Sequence, residues 1–130
     1  MIKTLLVMLL AAGAAHAQQA LNGAEFDALS RDTTMYFTNN GQFFGAEQFL
    51  PDQRSIWRAQ DGTCVNGKWR EVAGNICFLY DNNDGPFCWS ITTSDAGITV
   101  TSTSGPDPLV LELSGQDTQP ILCTGPAFGV

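Results

Sequence analysis

The chain is short of the residues on which most enzymes and nucleic-acid binders depend. Its 130 residues include one histidine, His16, and six basic side chains against thirteen acidic ones. His16 sits in an N-terminal run expected to be removed, so the mature chain should lack histidine altogether. A Ser–His or Cys–His nucleophile then has no base, and the usual proton shuttle is missing. Lys68 is the only lysine besides Lys3; a Ser–Lys dyad would need a serine delivered by the fold, and no local motif supplies one. Lys68 and Arg70 form the densest basic group, too sparse for a phosphate-binding surface, so nucleic acid and anionic membrane are poor partners. No C-x-x-C pair occurs, and cysteine gaps of 13, 11 and 35 do not suit a four-cysteine zinc site. Two carboxylates acting alone remain possible for a hydrolase. Most of the acids, however, stand beside Gly, Pro or Asn, as in exposed turns. The inventory favours a non-enzymatic role without a cofactor.

What is present begins with an address. Met1-Ile-Lys3 is a short basic start, "TLLVMLLAAGAA" is apolar, and Ala15-His16-Ala17 is a small-x-small cleavage site. Together they predict a signal peptide over residues 1–17. The run is too short for a mature membrane helix, and no later segment is apolar for long enough. Removing 17 residues leaves 113, residues 18–130, which suits one small domain in the periplasm or outside the cell. Five basic residues against thirteen acidic ones then give a net charge of −8. That charge would welcome a basic protein, a cationic peptide or a metal cation.

All four cysteines, Cys64, Cys77, Cys88 and Cys123, fall in the mature chain. An even count in an exported domain reads as two disulfides. Of the three possible connectivities, Cys77–Cys88 with Cys64–Cys123 is expected. Chain entropy puts these crosslinks at roughly 3 and 4 kcal/mol, comparable with the net stability of a small domain.

Periodicity predicts the fold class. Asn22 followed by Glu25 has capping-box spacing, and Phe26 and Leu29 share a side, so one short helix is expected over residues 23–30. From Thr34 onward, β-rich runs alternate with turn signals such as Asn39-Asn40-Gly41, Pro51-Asp52, Asp61-Gly62 and Ala73-Gly74-Asn75. The spacing, about ten residues, is that of an antiparallel meander closing into a barrel or stacking as a sandwich. Ile98, Val100 and Ser102 alternate as in a half-buried strand, "PLVLEL" alternates likewise, and "ILC" reads as a possible last short strand. The lone helix is expected against one end or face of the sheet.

The stretch "ICFLYDNNDGPFCWSI", residues 76–91, concentrates cysteines, aromatics and acids. An EF-hand loop counted from Asp81 needs an acid or Asn at position five and Glu at position twelve; the chain has Gly85 and Thr92. Asp81 and Asp84 stay weak candidates for a looser cation site, although Asn and Asp also suit turns. Pairing Cys77 with Cys88 across a hairpin sets Ile76 opposite Trp89 and Phe78 opposite Phe87. Ile76, Phe78, Phe87, Trp89 and Ile91 then share one face, and both cysteines take the other. Pro86 cannot donate to a ladder, so the loop is expected to extend up to Asp81–Pro86.

The run "GKWREVAGNICFLYDNNDGPFCWSI" resembles a group of small exported alphaproteobacterial proteins with a G-x-W strand, a C-F-x-Y strand and a closing C-W or C-Y. The preceding "TNNGQFFGAEQFLPDQRSIWRAQDGTCVNGKW" is similar to the same group's glycine-punctuated meander. The likeness covers about residues 33–91, with Trp69, Cys77, Phe78, Tyr80, Cys88 and Trp89 at the recurring positions. It implies an envelope location and β architecture, and it carries over no catalytic residue. The leading expectation is therefore a binding or envelope accessory domain. Its rivals are an inhibitor of a basic cell-wall enzyme, of the lysozyme-inhibitor kind, and a lipocalin-like small-ligand binder with Trp57, Trp69 and Trp89 lining a cavity.

Overall fold

A computed structural model describes residues 19–124. The expected signal peptide and the tail after Thr124 lie outside the described residues.

The helix α1 spans Gly23–Ser30, and both halves of the capping box form. Glu25 N donates to Asn22 Oδ1 at 2.8 Å, and Asn22 N donates to Glu25 Oε1 at 3.1 Å. These bonds satisfy amide groups that a helix start leaves unpaired. Arg31, just past the helix, pairs with Asp27 one turn back.

Eight strands follow: β1 (Thr34–Asn39), β2 (Gln42–Leu50), β3 (Arg54–Arg58), β4 (Cys64–Val72), β5 (Asn75–Tyr80), β6 (Phe87–Ser94), β7 (Gly97–Ser102) and β8 (Val110–Asp117). Each pairs antiparallel with the next, and β8 pairs back onto β1, so the meander closes into a barrel. Closure leaves no sheet edge exposed to foreign strands. Two register shifts let it bend: Phe44 bulges out of the β1–β2 ladder and Ser114 out of β8–β1. "ILC" is not a strand. Residues 118–124 instead run along the outside, held by Thr34 Oγ1 donating to Gln119 O, by Ile121 N donating to Gln48 Oε1, and by the Cys64–Cys123 disulfide. Those side-chain anchors take the place of a ladder.

The crowded hairpin adopts the expected register, with Ile76 opposite Trp89, Cys77 opposite Cys88 and Phe78 opposite Phe87. The Cys77–Cys88 disulfide spans these neighbours. The loop between them runs over residues 81–86.

The two barrel ends differ. At one, α1 lies across the opening, and Phe26 makes edge-on contacts with Phe49 at 5.3 Å and Trp69 at 5.0 Å between ring centroids. Phe26, Phe49, Trp69 and Ile76 are all nearly fully buried there. The other end carries the β1–β2, β3–β4, β5–β6 and β7–β8 loops. No helix covers that end among the described residues.

Candidate functional site

An eight-stranded barrel is just wide enough either to fill with side chains or to hold one small molecule. Both outcomes occur here, at different depths. Near α1 the interior is packed, whereas above that plug it holds a cavity of about 550 Å³. The walls are mostly apolar and aromatic, among them Phe44, Trp57, Phe78, Trp89, Val100 and Leu111. Strand parity explains the lining: residues two apart point inward along each strand, as with Ile98, Val100 and Ser102 on β7. Asp84, Phe87, Asp107 and Ser104 line the cavity toward the uncovered end.

Two wall glycines make room for inward rings. A Cβ at Gly45 would lie 2.3 Å from the Trp57 indole, so the ring lies over bare backbone. A Cβ at Gly67 would lie 2.7 and 2.8 Å from Cδ1 and Cε1 of Tyr80, and 3.2 Å from Ser55 Oγ. Gly67 stands between Ser55 on β3 and Tyr80 on β5 in the ladder. Its missing side chain lets the phenol reach across β4 toward β2.

At the end of that reach is an acid. The Tyr80 hydroxyl lies 3.3 and 3.2 Å from the two carboxylate oxygens of Glu47. Glu47 is only 3 % exposed, although it belongs to the cavity wall. Burial pushes its carboxyl up to about 8, with the Ser55 and Tyr80 hydroxyls opposing the rise. Burial likewise raises the Tyr80 phenol, helped by the charge and hydrogen bond of Glu47 and by Asp84. Ser55 is 1 % exposed, and its Oγ makes no hydrogen bond of normal length. A buried hydroxyl and a buried acid in an apolar wall are costly unless something pairs with them.

The sequence-predicted residues separate. Trp57 and Trp89 line the cavity. Trp69 does not; it is 3 % exposed and belongs to the plug beneath Phe26. Asp81 is exposed in the β5–β6 loop, while Asp84 lies at the cavity wall. Among the described residues no three His, Cys, Asp or Glu side chains are grouped to hold a metal. Glu47, Ser55, Gly45 and Gly67 were not singled out by sequence reasoning, and Tyr80 entered only as a recurring position of the resemblance, with no role attached. Their signal was phase: Gly45 and Glu47 share the parity of Phe49, and Tyr80 shares that of Ile76 and Phe78.

The glycine's role carries an expected outcome. Gly67→Ala should lower stability by about 1–3 kcal/mol, the cost of overpacking a tight contact. Gly115→Ala is the control, since its Cβ would meet Tyr36 at an ordinary 3.7 Å. Thermal melts of both variants check this; equal losses would show that the Tyr80 ring is not held over Gly67.

Comparison with known proteins finds no matching family model, no matching curated protein and no matching solved structure.

Proposed function

We propose that this protein binds a small, largely apolar molecule inside its barrel, as a lipocalin-like carrier or sensor of the cell envelope. The observation that carries the reading is the cavity of about 550 Å³ with mainly apolar and aromatic walls. Pockets that hold drug-sized ligands are roughly 300–1,000 Å³ and are lined in this way, with a few placed polar groups. Closure of the sheet and the Phe26 plug confine entry to the end opposite α1. The disulfides support export, because such crosslinks persist in oxidising compartments. No reaction is assigned to the site.

The test is a titration with N-phenyl-1-naphthylamine, a neutral dye whose fluorescence rises in apolar surroundings. Saturable one-to-one binding is expected. Val65 on β4 lines the cavity and is only half-buried, so it has room to grow inward. Val65→Trp should occupy that room and weaken dye binding by about tenfold or more, near 1.4 kcal/mol, while the circular dichroism spectrum stays native. Absence of dye binding, or binding unchanged in Val65→Trp, would refute the reading.

A further inference from the structure

Among the described residues, the ionisable groups of the cavity are acids and a phenol. Its wall includes Glu47, Tyr80, Asp84 and Asp107, and no described Lys or Arg. From β3 the carboxyl of Glu47 is faced by Ser55 and by Trp57, its cross-strand neighbour. From β5 it is faced by Tyr80. From α1 and from β6, β7 and β8 the wall presents only apolar side chains and the Ser102 hydroxyl. Among the described residues, therefore, no cation neutralises this acid. An ionised carboxylate offers about four acceptor positions, and the hydroxyl hydrogens of Ser55 and Tyr80 serve at most two of them. Aromatic rings stand close by: Phe44 lies 5.9 Å from Trp57, and Tyr80 lies 6.2 Å from Phe78 and 6.1 Å from Phe87. Such rings attract a cation over their faces.

We propose that the ligand is an organic ammonium ion with an apolar body, its charged nitrogen held by the Glu47 carboxylate beside Tyr80 and Trp57. This inference rests on the cavity-binding reading above and adds the ligand's chemical class. The acidic side chains at the uncovered end, Asp84 and Asp107, favour entry of a cation and oppose entry of an anion. The preference also has a proton balance. Burial, which raises the Glu47 carboxyl to about 8, favours its protonated form at neutral pH when no ammonium ion is bound. An ammonium ion enters with its own proton, and the Glu47 carboxyl releases one to solvent, leaving a paired carboxylate and ammonium. A neutral alcohol of the same shape hydrogen-bonds to the protonated acid and releases no proton.

The experiment compares decylamine, decanol and decanoate by titration calorimetry at pH 6.5, in two buffers of different ionisation enthalpy. Decylamine should bind at least tenfold more tightly than decanol and release about one proton per ligand; decanoate should bind most weakly. Glu47→Gln should remove the preference for decylamine over decanol and abolish the proton release. If decanol binds as tightly as decylamine, or decylamine binding releases no proton, the ammonium assignment is overturned and the cavity reading stands. Should none of the three bind, the cavity reading fails with it. The proton count on the natural protein keeps the test decisive even if Glu47→Gln folds poorly.

Discussion

Between pH 5 and pH 8.5 the ligand-free protein should lose stability, and Glu47→Gln should lose much less. The direction follows from the folded carboxyl's position. Burial among apolar walls raises it from 4.5 to about 8, so between these values the native state holds a proton that the unfolded chain has released. Stability falls with pH wherever the native state binds more protons than the unfolded one. The contribution is therefore fully present below about 4.5 and is lost as pH rises through about 8. At about 1.4 kcal/mol per tenfold change in proton affinity, the upper limit is on the order of 4–5 kcal/mol. Tyr80, the other ionisable group facing Glu47, is raised and stays protonated across the window. His16, the only side chain of the type that ordinarily titrates there, lies outside the described residues. Urea unfolding at several pH values measures the slope. Parallel slopes for the natural protein and Glu47→Gln would show that Glu47 is solvated in the folded state.

The second large effect belongs to the plug. Phe26→Ala should cost about 3–5 kcal/mol, the usual range for removing a buried aromatic side chain. Phe26 is 2 % exposed and contacts Phe49 and Trp69 edge-on, so its loss leaves a void that two rigid rings cannot fill. A small domain has only about 5–15 kcal/mol of net stability, so the variant should be near the limit of folding at ambient temperature. Phe26 also belongs to the lower wall of the cavity. Ligand affinity should consequently fall along with stability in the fraction that remains folded. Chemical denaturation measures the first effect. A loss below about 0.5 kcal/mol, within the range of exposed substitutions, would make α1 an appendage instead of the barrel's stopper.

Much of this architecture was legible because it follows from local rules. Asn22 and Glu25 announce the helix start through a reciprocal hydrogen-bond pair that needs no tertiary partner. The facing cysteines and the aromatic parity from Ile76 to Ile91 constrain the hairpin register, since a one-residue slip would invert every side chain. Barrel and sandwich could not be separated from sequence, because closure depends on the β8–β1 pairing between segments far apart in the chain. The site was less legible for the same reason. Glu47 looks like an ordinary strand acid until Trp57, Tyr80 and the bare backbone at Gly67 enclose it. The bulge at Phe44 hides another wall residue: a regular strand would turn Phe43 inward with Gly45, yet Phe43 is 43 % exposed and Phe44 lines the cavity. Trp69 shares the inward parity of the cavity residues, but the helix that buries it comes from the N-terminal segment, far from it in the chain.

The central claim is that a small ligand sits inside the barrel, and methyl NMR spectra with and without decylamine test it most directly. Shifts should concentrate at Val65, Ile98, Val100 and Leu109, which line the cavity, and leave Val72, Leu79 and Leu122 on the exterior unchanged. Perturbation of the exterior methyls with the cavity methyls silent would contradict it.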